Sequence, residues 1–453
     1  MIGGRIASLF TAVLLAGSGP PVGASDLAER LSAYLERRAV QGFMGAVLVE
    51  RGGETLLRAA YGPAEAELDV ANRPEDVFRI GSLTKTFTAT AVLRAVERGE
   101  MALDDRICAS LSLCPSSWSG VTVHHLLSHT SGIPDSFGRL EAVPVEETAA
   151  ELERVLAELV EEGEALDSAP GEAYRYSNFN YVLLGVLLEL AEGAPWAEVL
   201  AREIFRPLAM TGTAYDDVWA VVPGRVRGYR QRNGSLANIE YDDHAAYAAG
   251  GLRSTLDDLR RFLDAYFVPG RLLSAESLDK ALHPYLGDYG YGWQIIDRLG
   301  RTVYHHTGGI DGFSTHMARY PEDEVTVVVL SNNEDEPAPA TACDLAAIVF
   351  GVDHVFTGQP ALDLPAEQLD RLAGTYEVAV DASTFVLTRT EGGLLYAREG
   401  GEALYRAVAP ETFVLESRPD VTLRFDLGGA VPTATLAVCG HEIRTGRRRS
   451  GPG

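Results

Sequence analysis

Lysine is nearly missing from this chain. Only Lys85 and Lys280 occur in 453 residues, and arginine supplies the rest of the 39 basic side chains. That bias makes the setting of each lysine informative. Positive charge is short overall: 64 acidic residues leave a formal net charge of −25. A surface of that sign repels phosphate backbones, which argues against broad binding of nucleic acid. Beyond the first residues, no apolar run reaches the roughly 20 residues a membrane span needs, so no span is expected. Cysteine is limited to Cys108, Cys114, Cys343 and Cys439, and no Cys/His cluster has zinc spacing. No metal and no organic cofactor is therefore implied. What the chain does have is 46% apolar and 23% charged residues. That balance belongs to a folded globular protein and excludes a disordered or collagen-like chain.

The first residues, MIGGRIASLFTAVLLAGSG, run from Arg5 into a short apolar core, and PPVGAS follows. Val22 and Ala24 take the −3 and −1 positions of a small-residue cleavage site. Residues 1–24 read as a secretory signal peptide, which predicts a secreted or periplasmic protein. In such an oxidising compartment Cys108 and Cys114 are close enough in sequence to bridge. Cys343 sits in a helical stretch and Cys439 in a strand-like one, so both read as small buried apolar residues. His125 and His129 are four apart, but HLLSH lacks the Glu of HExxH, so they read as structural.

The pattern along the chain predicts two units. DLAERLSAYLERRAVQ is helical, and GAVLVERGGETLLRAAYG alternates about a Gly-Gly turn as a hairpin does. Helical patterns fill the middle, as in VEETAAELERVLAELVEEG and YVLLGVLLELAEG. Strand-like runs return at YGYGWQII, RTVYHH, THMARY and EVTVVVLSNN, before the helical TACDLAAIVFGV. Strands at both ends with helices between suggest one antiparallel sheet completed by distant segments, beside a helical region. This first unit is placed at 25–355, with a linker at 356–366. Eight short strand-like runs then occupy 367–446, the spacing of a small antiparallel barrel or sandwich. Residues 447–453, RRRSGPG, read as a disordered basic tail.

Chemistry concentrates in three segments. In VFRIGSLTKTFTATAVLRAVERGE, Ser82 and Lys85 are three apart at the start of a helical pattern, one turn apart on one face. A desolvated amine loses proton affinity, so it can accept the hydroxyl proton and create a nucleophile. Ser277 and Lys280 repeat the spacing, but Asp279 and the charged surroundings, with Ser274 as an N-cap, read as an ordinary exposed helix. PGEAYRYSNFNYVLLG offers Tyr176 and Asn178 on a loop before a helix, a phenol to relay protons and an amide to bind substrate. VYHHTGGIDGF offers His306, Thr307, Gly308 and Gly309 after a strand-like run. Small residues there let a substrate lie along the strand edge under a backbone N–H.

Ser82-x-x-Lys85, Tyr176-x-Asn178 and His306-Thr307-Gly308, in this order, resemble the serine β-lactamase and penicillin-binding-protein superfamily. More narrowly, the chain resembles its class C β-lactamase and DD-peptidase branch, which includes esterases and D-amino-acid-specific peptidases. LLSHTSGIPD at 126–135, RPLAM at 206–210, AAGGLRSTLDDL at 248–259 and YGYGW at 289–293 match the same branch. The resemblance covers about 27–350. It implies an α/β (α+β) transpeptidase-like fold, with the active site between an antiparallel sheet and a helical subdomain. The strand-rich end resembles, less specifically, an appended lipocalin-like barrel.

By resemblance, Ser82 is the acyl-accepting nucleophile, Lys85 its activator and Tyr176 the proton shuttle. Asn178 bonds the substrate amide, and the N–H groups of Ser82 and Gly309 form an oxyanion hole. His306 and Thr307 line the place of a substrate carboxylate or leaving group. The branch's β-lactamases usually carry Lys where this chain has His306, whereas His-Thr-Gly occurs in its DD-peptidases. Phe179-Asn180 replaces a residue that is often small, which implies a bulkier pocket wall. The expected function is an exported serine hydrolase for peptide or small-molecule substrates, first a D-amino-acid-specific or DD-carboxypeptidase-like peptidase. An esterase or β-lactamase of the same family is the alternative, and a non-catalytic module binding peptidoglycan or β-lactams is the alternative of another class.

Overall fold

The structure is a computed structural model that describes residues 24–141, 147–217, 219–239, 246–379, 382–398, 401–429 and 431–449. The expected leader lies outside these residues, apart from Ala24. A six-stranded antiparallel sheet forms the middle of the first unit. Its strands are β1 (Gly45–Arg51), β2 (Glu54–Tyr61), β3 (Gln294–Arg298), β4 (Arg301–Ile310), β5 (Phe313–Tyr320) and β6 (Val325–Ser331). Their spatial order is β3-β4-β5-β6-β1-β2. The N-terminal hairpin thus completes a sheet begun almost 250 residues later, with Gly45 opposite Ser331 and Arg51 opposite Val325.

β6 explains its central position: every residue of VTVVVLS is buried. Such an unbroken apolar run suits a strand covered on both faces. Side chains alternate between the faces. Val47, Val49, Val327 and Val329 meet helices α1 (Ala24–Val40) and, near the end of the unit, Ala338–Phe350. Ala46, Leu48, Val328 and Leu330 face the other way, into the helical region. There the central helix α2 (Thr84–Arg98) buries eleven side chains, Lys85 among them. Its buried threonines are satisfied internally: Thr86 donates to Leu83 O, Thr88 to Ala248 O and Thr90 to Thr86 O. Helix α3 (Asn178–Glu192) packs beside α2 and ends at Gly193, whose φ of 61° is a left-handed cap. The Ala338–Phe350 helix is α4.

Past α4, the chain from Gly351 to Pro365 is irregular but anchored. The Thr357 N–H donates to Asp344, and Gln41 donates to Gly358 O. Eight strands between Gly374 and Arg448 then close into an antiparallel barrel. Closure excludes the sandwich option and leaves no open sheet edge. The interior is filled by aromatic side chains, with Phe385 between Tyr376 (5.3 Å) and Tyr396 (4.9 Å).

Two expectations need correcting here. The basic tail does not begin at 447: the last strand runs through Arg448, and Arg449 pairs with Glu377 and donates its N–H to Thr375 O. Cross-strand pairing with the first barrel strand holds these arginines; 450–453 lie outside the described residues. Cys343 and Cys439 are not isolated buried apolar residues. They form a disulfide, Cα–Cα 6.0 Å, tying α4 to the last barrel turn. A 96-residue separation hides this pairing until the barrel docks. Cys108 and Cys114 are also bridged, Cα–Cα 5.4 Å. The barrel is therefore tied to α4, the helix packed on the sheet face opposite α2.

Candidate active site

Gly81 turns the chain into α2. Its φ is +52°, and a Cβ there would lie 2.9 Å from both N and O of Gly309. Gly308 is equally constrained, because a Cβ would lie 2.1 Å from Ile80 O. Glycine at both places lets β4 press directly on the turn carrying Ser82. Gly308 and Gly309 are strand residues, not a hairpin turn, which comes after Ile310. Thr315 on β5 donates to Ile80 O and locks the same junction. Ser82 remains partly exposed at the helix N-terminus, while Gly81 and Leu83 are buried.

Lys85 lies wholly inside the protein. Its Nζ is 3.0 Å from Ser82 Oγ, 2.8 Å from Asn178 Oδ1 and 2.7 Å from Ala249 O. Burial lowers its pKa to about 7, against a smaller opposing pull from Asp135. The partners then decide the direction of proton transfer. The two carbonyl oxygens can only accept, so they take both hydrogens of the neutral amine. The lone pair is left facing the Ser82 hydroxyl. Ammonium geometry is equally satisfied once that proton has moved.

Tyr176 completes the group. Its ring centroid is 4.9 Å from Lys85 Nζ, and Ser82 is near enough to pull its pKa down slightly against the larger effect of burial. Burial holds the phenol well above its ordinary range, so it keeps its proton near neutrality. Asn178 is the first residue of α3, and α3's N-terminus is capped from outside: Asp135 accepts from the Phe179 N–H at 3.1 Å.

Ser82, Lys85, Tyr176, Asn178 and Gly309 are thus brought together. His306 and Thr307 are not placed as expected. His306 is 2% exposed; its Nε2 meets Tyr289 OH at 2.9 Å and its Nδ1 meets Thr307 O at 2.7 Å. A carbonyl only accepts, so Nδ1 carries the proton and Nε2 accepts from the tyrosine. Burial, then Lys85, lowers its pKa to about 3, so the ring is uncharged. Strand alternation turns Thr307 to the opposite face, level with His316. The cleft over Ser82, about 510 Å³, is lined instead by Phe137, Asn178, Ala246, Gly309, Ile310 and Asp311 among others. The bulkier wall expected from Phe179-Asn180 is also absent. Phe179 packs into the core against Trp118, and Asn180 accepts from Ser131.

The remaining motif residues stay structural. Lys280 is an exposed partner of Glu276, and Ser274 caps its helix by accepting from the Ser277 N–H. His125 forms a capping box with Thr122. Among the described residues no group of three His, Cys, Asp or Glu is placed to hold a metal. No described helix is long and apolar enough to cross a membrane. Sequence reasoning missed Ala249 O, Asp135 and Tyr289. A backbone acceptor leaves no side-chain signature, although AAGG and HTSGIPD belong to the stretches that match the branch.

The Beta-lactamase family model matches residues 29–350. Penicillin-binding protein 4* of Bacillus subtilis (strain 168) is 29% identical over 409 residues, 85% of this chain and 88% of that protein. The octameric penicillin-binding protein homologue from Pyrococcus abyssi has a similar fold, with TM-score 0.67 and 24% identity over 93% of this chain and 99% of that one. The D-amino acid amidase from Ochrobactrum anthropi SV3 aligns at TM-score 0.59 and 24% identity, over 72% of this chain and 98% of that one. With the family model covering well over half of its length, the chain belongs to the Beta-lactamase family of serine hydrolases.

Proposed function

We propose that this chain is an exported hydrolase that cleaves amides or small esters of D-amino acids through an acyl-enzyme on Ser82. Lys85 takes the Ser82 proton as Oγ attacks the substrate carbonyl. The N–H groups of Ser82 and Gly309 hold the resulting oxyanion, and Asn178 bonds the substrate amide. Tyr176 gives its proton to the departing nitrogen or oxygen and recovers one from Lys85. Water, deprotonated by the same pair, then releases the acid. One observation carries the reading: two carbonyl oxygens consume the hydrogens of Lys85 and direct its lone pair at Ser82.

Charge supports the substrate class. Among the described lining residues of the cleft, the one charged side chain is Asp311, and His306 is buried and neutral. Among the described lining residues, a free carboxylate, as on a penicillin or a peptide C-terminus, meets no cationic side chain. Neutral amides and esters are favoured over DD-carboxypeptidase and β-lactamase substrates. The fold likeness to a D-amino acid amidase agrees with this choice. Export rests on the leader-like first residues.

The test is turnover of D-phenylalaninamide and p-nitrophenyl acetate, beside benzylpenicillin, with intact mass and peptide mapping. Expected are an acetyl adduct on Ser82, hydrolysis of the amide, and activity lost by a factor of at least about 10³ in Ser82→Ala. Equal activity in Ser82→Ala, or an adduct elsewhere, would sink the assignment. Faster turnover of penicillin than of the amide would move the function to a β-lactamase.

A further inference from the structure

The 126–135 stretch has no part in the reaction just described, yet it runs alongside the chain carrying Tyr176. The His129 carbonyl accepts from the Arg175 N–H at 2.9 Å, and its Nδ1 accepts from the Ser177 N–H at 3.2 Å. Those two bonds grip the backbone on both sides of Tyr176. Between them the His129 ring lies against the Tyr176 ring, centroids 4.4 Å apart at 37°. We infer that His129 is a positioning residue that aims the Tyr176 hydroxyl at the leaving group, by bracing its ring and both flanking peptides. This rests on the acyl-enzyme reading above.

Three further features separate this arrangement from ordinary core packing. His129 is fully buried and holds φ +55°, a left-handed conformation uncommon for any residue but glycine. Strain of this kind is kept where the surroundings over-determine it, and it clusters at functional sites. The Ser177 N–H can only donate, so Nδ1 is unprotonated and Nε2 carries the hydrogen. That Nε2 is buried with no hydrogen-bond partner among the described residues. It lies within a box of Tyr176, Tyr181 and Tyr289, whose centroids are 4.4–5.1 Å from the imidazole. A protein that needed only a filled core would place a wholly apolar ring here. The imidazole instead joins a flat face for Tyr176 to an acceptor for the next peptide.

A misaimed phenol has a specific consequence. An amine must be protonated to leave, whereas p-nitrophenolate leaves without a proton. His129→Asn is the informative change, because Asn tolerates the left-handed backbone and offers an acceptor to Ser177 but has no ring. The measurement is kcat/KM, which reports acylation, for D-phenylalaninamide and for the p-nitrophenyl ester of D-phenylalanine. The expected result is a loss on the amide at least about tenfold larger than the loss on the ester. In a Tyr176→Phe background the same change should leave the amide-to-ester ratio where Tyr176→Phe alone puts it, because the effect runs through that hydroxyl. Equal losses on both substrates, no loss on either, or a full effect in the Tyr176→Phe background would overturn the inference. Circular dichroism and melting temperature check the fold, and His129→Gly, which suits the same backbone, takes over if the Asn variant does not fold. Failure of the wild type to acylate Ser82 would refute the acyl-enzyme reading itself, a different outcome from equal losses.

Discussion

Lys85 shows how surroundings change what one side chain can do. In water its amine would be a cation at any physiological pH. Inside this protein burial lowers the pKa to about 7, so about half the molecules carry a free lone pair at neutrality. Only the neutral amine can accept the Ser82 proton. The kcat/KM for an amide should therefore rise about tenfold per pH unit on the acid side and level off above about pH 7. A pH–rate profile from 5 to 9 checks this, and a profile already flat at pH 5 would remove Lys85 from the role of base. His306 cannot supply that limb, because it is held near pKa 3 with both nitrogens engaged. At this scale the sequence showed which residue types meet but not their charge. The acceptors of Lys85 come from 93 and 164 residues away.

Among the elements, the junction of β4 with the turn before α2 sets the site. Gly308 and Gly309 are neighbours with opposite tolerance. A Cβ on Gly308 meets Ile80 O at 2.1 Å and Thr315 Oγ1 at 2.2 Å, whereas one on Gly309 meets nothing within 4 Å. Gly308→Ala should push β4 off the Ser82 turn, costing about 1–3 kcal/mol as overpacking does, and lower activity with it. Gly309→Ala should melt within a degree or two of the wild type. Urea unfolding of the two variants decides this, and equal stability would mean the junction yields easily. The sheet strands and main helices were legible because their periodicity is local. The junction was not: His306-Thr307-Gly308 reads as a strand edge, but which side of the strand meets the serine turn depends on register with β5.

Across the whole molecule, burial of uncharged histidines links stability to pH. His129, His305 and His316 are held well below their ordinary range, first by burial, with Lys85 acting on His129 and Arg298 on the other two. His306 belongs with them. The unfolded chain binds these protons near pH 6.5, while the native protein resists them to a much lower pH. Stability is therefore fully present above about pH 6.5 and is lost as pH falls below it. Each imidazole contributes up to about 1.4 kcal/mol per pH unit within its window. Thermal melts at pH 7.5, 5.5 and 4.5 should show a falling midpoint, and a constant or rising one would contradict the buried neutral state. His305 and His316 lie on the sheet face opposite Ser82, the face covered by α4, which Cys343–Cys439 ties to the barrel. That pairing was illegible because nothing local to either cysteine marks a partner 96 residues away.

Local facts were legible in the residues alone. Ser82 and Lys85 share a helix face, strands frame a helical middle, and eight short strands end the chain. Each follows from a repeat of two or 3.6 residues, or from a turn signal, that a short window contains. The rest came only with the tertiary structure: that Ala249 O joins Asn178 around the lysine, that His306 is buried and neutral, that the His129 ring lies against that of Tyr176, and that two distant cysteines join the barrel to α4. These depend on desolvation and on contacts between segments far apart in the chain, and such quantities exist only once the chain has closed on itself.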